Sequence, residues 1–356
     1  MEQPQIDEAR AIRKGEELNT EKLQAFLNEE LNMGDASLEI AQFPSGYSNL
    51  TYLLKLGDKE LVLRRPPFGA EKISKGHDMG REYKVLSRLN PVYPKTPKPL
   101  VYTEDSSIIG APFYIMERVK GSILRANQKV DMSRQEARIL SENFIHNLAR
   151  LHKIDVNETG LIELGKPEGY MRRQVEGWIE RYKKSQTDDI RDMDEVIQWF
   201  PDNIPETKYT SFIHNDYKYD NIVLNPEDPT QIKAVLDWEM STVGDPLSDL
   251  ATTLAYTTES TDPEPLRMFG IRAFEGVMSR DETVRRYEAA SGIKTENMVF
   301  YFAFATFKLG TICQQIYYRY KEGFTKDPRF APLIFLVKAT AKLSASAVRN
   351  GRIRDI

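Results

Sequence analysis

The chain has 356 residues, 40% hydrophobic and 29% charged, with 49 basic against 53 acidic residues and a net charge of −4; this is the balance of a globular chain long enough for two domains or two lobes. No basic run marks a nucleic-acid footprint, and a lone cysteine, Cys313, excludes an intrachain disulfide. The start (MEQPQIDEAR) is unlike a secretory or transit signal, and the most apolar stretch, Met298 to Cys313, is interrupted by Lys308 and shorter than the ~20 residues of a membrane span, so the expectation is a cytoplasmic protein with neither a nucleic-acid nor a membrane partner.

In chain order, Leu23, Phe26, Leu27 and Leu31 recur at helical spacing, with Asn19 or Thr20 as N-cap and Gly34 as stop. Three strands are expected next, Leu38 to Phe43, Thr51 to Leu56 and Glu60 to Arg64, the last two joined through Gly57-Asp58-Lys59. A helix from about Gly80 to Leu89 precedes Pro91, Pro94, Pro97 and Pro99, which exclude a regular helix. Ala111 to Val119 reads as a strand ending at Lys120-Gly121. Helical patterns then dominate: Leu140, Phe144, Leu148 and Leu151 mark one helix, and Met171, Val175, Trp178 and Tyr182 a second. A strand pair, Asn221 to Asn225 and Gln231 to Glu239, interrupts them, and helices resume near Pro246. The reading is an α+β fold: residues 1–118 form a small β-rich N-terminal lobe and 119–356 a large, mainly helical C-terminal lobe.

The densest chemistry is His214-Asn-Asp216-Tyr-Lys218-Tyr-Asp-Asn221. A phosphoryl-transfer loop needs this spacing: an aspartate to accept the proton of the attacking hydroxyl, and five residues on an amide oxygen for magnesium. Lys218 can bring a cation to the transferred phosphate. Sixteen residues past Asn221, Asp237 stands at the end of the run Ala234-Val-Leu, where such an enzyme needs its second metal ligand; Trp238-Glu239 follow it in place of the Phe-Gly of protein kinases. Asp249, in Gly244-Asp-Pro-Leu-Ser-Asp249, can either cap a helix or bond the backbone around His214 and hold the loop.

In the first lobe, Phe43-Pro-Ser-Gly46-Tyr-Ser48-Asn49 lies between two strands, so Gly46, Ser48 and Asn49 are candidate nucleotide contacts. Arg64 ends a strand where kinases carry a phosphate-gripping lysine, and Glu82, eighteen residues on, is its expected partner. The backbone of Glu117 and Val119, at the end of the next strand, suits the adenine edge. His146 and His152 lie on a helix as structural residues, and His214 reads as an organiser of its loop. Nothing clusters as a zinc site, and no glycine-flanked serine elbow is present.

With these residues in place, the chain resembles the aminoglycoside phosphotransferase and choline kinase superfamily, of protein-kinase-like bilobal fold. Within it, the likeness is strongest to the kinase-like domain of acyl-CoA dehydrogenase family proteins and their stand-alone bacterial relatives. It rests on Ser45-Gly-Tyr-Ser-Asn-Leu-Thr51, Leu63-Arg-Arg-Pro66, Pro112-Phe-Tyr-Ile-Met-Glu-Arg118, Leu148-Ala-Arg-Leu-His152, Gly169-Tyr170, Arg173-Gln174, Trp178 and the two acidic motifs. Lys218 stands where that branch carries arginine, and Asn215 where glycine is usual. The resemblance implies transfer of the ATP γ-phosphate, with Mg2+, to a small-molecule hydroxyl, that of a 4-hydroxy acid or its CoA thioester. Alternatives are an aminoglycoside or choline-type kinase, with the acidic run Asp188 to Glu195 as a polycation site, and a non-catalytic nucleotide-binding module. For the acceptor, cations and aromatics coincide in two segments, giving Tyr170, Arg173 and Trp178 in one and Gln315, Tyr318 and Arg319 in the other.

Overall fold

Described here is a computed structural model, covering residues 7–44, 49–69, 78–125, 132–268 and 275–355. Its residues group into two units, one of Met1–Ile123 with Asn221–Met240, the other of Leu124–Asp220 with Ser241–Ile356.

The first unit begins with α1 (Thr20–Glu30), which starts where the Asn19 side chain accepts the Lys22 N–H. Strands β1 (Leu38–Gln42), β2 (Leu50–Leu56) and β3 (Lys59–Arg65) form an antiparallel meander. Helix α2 (Met79–Leu89) is capped by Asp78. After it come β4 (Pro99–Thr103), the single turn α3 (Ser106–Ile109) and β5 (Phe113–Glu117). The five strands run in the order β1-β2-β3-β5-β4. Alternate residues of the sheet, Tyr52, Leu54, Leu63, Phe113 and Ile115 among them, bury against Leu23 and Leu27 of α1. The proline-spaced connection thus holds a strand that its composition hid. Pro99 opens β4, and β4 is the sheet edge, where a residue without an N–H leaves no ladder bond unmade.

The hairpin β7 (Ile222–Leu224) and β8 (Ile232–Val235) groups with this unit, although sequence reading assigned it to residues 119–356. The physical reason is a small apolar cluster. Val223 and Ala234 bury with Ile123, and Val119 and Leu236 pack on them. Ser122 and Leu224 exchange backbone bonds of 3.0 and 2.8 Å, and the Val235 N–H reaches the Lys95 carbonyl at 2.7 Å. Gly121 permits this approach, since a Cβ there would overlap the Leu224 carbonyl.

The second unit is mainly helical. Helix α4 (Arg134–His152) and α9 (Arg280–Ser291) each begin with a serine–glutamate capping box, Ser133/Glu136 and Ser279/Glu282. They pack together through Arg138–Glu282 and Arg286–Glu142 pairs. Between them in sequence lie α5 (Tyr170–Ser185), α6 (Arg191–Trp199), the short strands β6 (Ser211–Ile213) and β9 (Thr242–Gly244), α7 (Pro246–Ala255) and α8 (Glu264–Met268). The pairing of β6 with β9 was absent from the sequence reading, because three-residue strands carry no periodicity to detect. Helix α10 (Met298–Lys321) sets Phe300, Phe304 and Phe307 around buried Phe200 at centroid distances of 5.8, 5.6 and 5.4 Å. Helix α11 (Leu333–Asn350) packs on α10, and Ser344 donates to the Ala303 carbonyl at 2.7 Å. Residues Pro328–Asn350 are long and apolar enough to cross a bilayer by length and composition, and half of their apolar window is buried within the protein.

Candidate active site

In the first unit the polar centre is Arg64, on β3 opposite Tyr114 of β5. Its buried guanidinium faces three carboxylates. Nη1 meets Glu82 at 2.9 Å, both Nη atoms meet Asp237 Oδ1 at 3.2 and 3.1 Å, and Nη2 lies 3.5 Å from Glu239. Burial works against the Arg64 charge, but Glu82, Tyr114, Asp237 and Glu239 together raise its pKa well above the ordinary arginine value. Burial also pushes the Glu82 carboxyl up, against the pull of Arg64. Arg64 Nε and Glu82 Oε2 are buried without a hydrogen-bond partner. The Arg64–Glu82 pairing expected from sequence is therefore present, and Asp237 joins it.

Asp237 is reached through a local turn. Strand β8 ends at Val235, short of the expected Glu239, because Asp237 takes a left-handed backbone with φ of 66°. The buried indole of Trp238 closes this turn by donating to the Val235 carbonyl at 2.9 Å. The Asn221 carbonyl accepts the Leu236 N–H at 2.7 Å, so the hairpin brings Asn221 and Asp237 to one end. An oxygen pair of this kind fits magnesium, which keeps several waters and takes phosphate oxygens rather than needing a full protein cage. The excess of carboxylate over guanidinium around Asp237 suits a divalent cation in charge as well. Among the described residues no group of three or more His, Cys, Asp or Glu forms a metal cage.

Asn49 is buried, and its Nδ2 donates to Glu239 at 2.7 Å. Gly46 and Ser48 lie outside the described residues. The Glu117 N–H is taken by the Lys98 carbonyl at 2.9 Å, its carboxylate is half-exposed, and Val119 packs into the apolar cluster beside Ile123.

In the second unit the loop after β6 is shaped by Asp249. Fully buried on α7, its carboxylate accepts the backbone N–H groups of His214 and Asn215, each at 2.7 Å, and meets His152 Nε2 at 3.1 Å. Burial would raise its pKa, but the bonds and charge of His152 and the nearby His214 hold it below the usual carboxylate value. Capping of α7 falls to Asp245 instead, which accepts from Leu247 and from the Tyr301 hydroxyl. Asn215 has a φ of 65°. That explains an asparagine where glycine is usual: its short polar side chain tolerates the left-handed region. The Asp216 N–H then bonds His214 Nδ1 at 3.2 Å, which identifies His214 as part of the scaffold.

The loop presents Asp216 against two partners. Lys218 Nζ lies 2.9 Å from Oδ2 and 4.9 Å from the Tyr256 ring. Burial, with the charge and hydrogen bond of Asp216, raises the Tyr256 phenol well above its ordinary value. Tyr217 fastens the loop from beneath, donating to the Phe144 carbonyl at 2.9 Å and accepting from Asn147 at 3.0 Å.

The two expected acceptor segments lie on neighbouring helices, and among the described residues the contacts between those helices do not join the segments to each other. Helices α5 and α10 pack through Tyr182 and Phe307, 5.9 Å between centroids, and Gln314 Nε2 reaches the Ser185 carbonyl at 2.6 Å. Tyr170 is buried beside the loop, its hydroxyl 3.3 Å from Asn215 Oδ1. Trp178 is buried and donates to Gln174. Arg173 instead folds back onto the carbonyls of Lys166 and Glu168. Gln315 and Tyr318 are partly exposed on α10 and Arg319 is exposed; Tyr318 rests against Phe324.

Residues 39–287 match the model of a family described as the phosphotransferase enzyme family. The chain belongs to that family. It is an enzyme of the kinase type. Among curated relatives, this phosphotransferase is 38% identical over 309 residues to acyl-CoA dehydrogenase family member 11 of Rattus norvegicus, a match covering 85% of this chain and 39% of that protein. It is 35% identical over 325 residues to acyl-CoA dehydrogenase family member 10 of Mus musculus, covering 89% and 30%. The chain thus spans well under half the length of these relatives. A solved structure of a candidate aminoglycoside phosphotransferase from Ralstonia eutropha superposes with a TM-score of 0.80 at 29% identity, covering 94% of this chain and 99% of that one.

Two residues of this phosphotransferase escaped the sequence reading. Glu239, which was noted only as a replacement for glycine, ties Asn49 to Arg64. Tyr256 had no motif around it and is found only because α7 ends beside Asp216.

Proposed function

We propose that this phosphotransferase moves the γ-phosphoryl group of ATP, with magnesium, to the hydroxyl of a small hydroxy acid, a 4-hydroxy acid or its CoA thioester. The observation that carries it is the loop buttressed by Asp249, which holds Asp216 against Lys218 and Tyr256 in a chain of this family. Asp216 accepts the acceptor's hydroxyl proton as the new O–P bond forms and the bond to the β-phosphate oxygen breaks. Lys218 supplies positive charge to the phosphoryl oxygens. Arg64, oriented by Glu82, grips the nucleotide phosphates, and Asn49, which donates to Glu239, is a further nucleotide contact. The Glu117 carbonyl and Val119 N–H serve the adenine edge. Asn221 and Asp237 would hold magnesium, which when bound would offset the negative charge of the phosphates.

The acceptor class is supported by the likeness to acyl-CoA dehydrogenase family members 10 and 11 over most of this chain. An aminoglycoside acceptor finds less support. Of the acidic run 188–195, Asp188 is paired with Lys321, and Asp192 and Glu195 with Arg349, so these carboxylates already have cations. Acceptor-dependent ADP release should be measured with 4-hydroxyacyl-CoAs, free 4-hydroxy acids, aminoglycosides and choline. The expected result is the highest kcat/KM on a hydroxy acid or its thioester. A higher value on an aminoglycoside or on choline would overturn the acceptor class, and no ADP release with any of them would favour a non-catalytic module.

A further inference from the structure

Lys308 sits in the middle of α10, on a helix otherwise dominated by buried apolar side chains. At 3.6 residues per turn it shares one face with Ile312, Gln315 and Arg319, a stripe that is partly exposed along its length. Its ammonium lies 5.6 Å from the ring centre of Trp178, and the guanidinium of Arg181 lies 4.6 Å from the same ring. Among the described residues neither cation has a hydrogen bond or an ion pair; nearby acids are engaged elsewhere. Asp216 is bonded to Lys218, and Asp249 holds the loop backbone and His152. Elsewhere on α5, Lys184 pairs with Glu180 and Arg172 with Glu176, and Arg173 bonds the Lys166 and Glu168 carbonyls.

Lys308, unlike the exposed Arg181, is partly withdrawn from water without a partner, which is unfavourable, and an arriving anion offsets that cost. Burial holds the Lys308 pKa below the ordinary lysine value, with Arg181 adding to the effect and Asp249 and Asp216 opposing it. Asp216, the proposed base, is thus among the charges that Lys308 feels.

We propose that Lys308, with Arg181 and Trp178, is the seat for an anionic oxygen group of the acceptor, a carboxylate or a phosphate. This rests on the reading of the acceptor as a hydroxy acid or its CoA thioester. The indole and Ile312 provide apolar surface for a short alkyl chain, and the two cations provide the charge that an acid needs and that a polycation is repelled by. Gln315 and Arg319 extend the stripe by about two to three helical turns, roughly 10 to 16 Å at 1.5 Å per residue.

The test compares 4-hydroxypentanoate, its CoA thioester and the neutral pentane-1,4-diol on wild type, Lys308→Met, Lys308→Gln and Lys308→Arg. Calorimetry with pentanoate, which has no hydroxyl to phosphorylate, accompanies it. Thermal melts identify variants that remain folded; if Lys308→Met does not, Lys308→Gln serves. The neutral variants should raise KM for the anionic acceptor about tenfold or more and leave that for the diol within about twofold, while Lys308→Arg retains most of the affinity. Pentanoate should bind wild type and not the neutral variants. A response of the thioester alone, with free acid and pentanoate indifferent, assigns the anion as a CoA phosphate. Equal effects on diol and acid, or no effect on any acceptor, would overturn the seat. If wild type phosphorylates no hydroxy acid but pentanoate binding still depends on Lys308, the seat stands and the acceptor reading falls. If hydroxy acids are phosphorylated with KM indifferent to Lys308, the reading stands and the seat falls.

Discussion

At the scale of single residues, Asp216 differs from its acidic neighbours in what surrounds it. A lysine lies 2.9 Å away and the Tyr256 phenol interacts with its carboxylate, and the proposed role as base rests on these surroundings. Asp216→Asn should lower kcat by about 100-fold or more, the usual yield of a positioned base, while the Kd for ATP stays within a few-fold. Single-turnover phosphoryl transfer checks the first and calorimetry the second; a kcat near wild type would remove Asp216 from the mechanism. Asp237 behaves differently because it is shared with Arg64. Replacing it with alanine should abolish the magnesium-dependent tightening of ATP binding, and Asn221→Ala should weaken it less, since a neutral amide contributes less than a carboxylate to a hard cation. ATP titrations with and without magnesium read both, and an unchanged dependence in the two variants would place the metal elsewhere.

At the scale of elements, the loop between β6 and the 3-10 turn Tyr219–Asn221 has its conformation imposed by α7. One carboxylate satisfies two buried backbone donors and a histidine, and each such donor left unpaired costs about 1–3 kcal/mol. Asp249→Ala should therefore lose several kcal/mol in urea denaturation, and Asp249→Asn, which keeps one acceptor oxygen, should lose less. The folded carboxyl has a depressed pKa. Its contribution is complete above the unfolded value of about 3.9 and is lost as pH falls through the lower, folded value. Wild-type stability should accordingly fall more steeply on the acid side than that of Asp249→Asn. Equal slopes would mean that Asp249 does not carry the acid sensitivity.

For the whole molecule, nucleotide binding should appear as added stability. A ligand at 100 times its Kd contributes about 2.7 kcal/mol, which in a chain of this size corresponds to a rise in Tm of about 3–6 °C. Differential scanning fluorimetry with a non-hydrolysable ATP analogue should show this rise with magnesium and a smaller one with a chelator. No rise in either condition would argue against ATP as the donor.

How much of this was legible beforehand depended on the range of the interaction. Asp216, Asn221 and Asp237 stand at short, fixed separations because one loop and one hairpin carry them, so the sequence alone determined the chemistry class. Helices α1, α4 and α5 likewise announced themselves through 3.6-residue spacing, a local property. Tertiary structure alone decided the rest. Asp249 could have been a cap or a buttress, and only its burial against the His214 and Asn215 backbone settles which. The left-handed turn at Asp237 depends on Trp238 finding a buried place beside Tyr93, a contact 145 residues distant in the chain. Glu239 meets Asn49, and Lys308 faces Trp178, across separations at which sequence carries no period and no spacing rule. Long-range packing selects those partners from many of the same composition, and it is packing that makes a glutamate a tether and a lysine an unpaired charge.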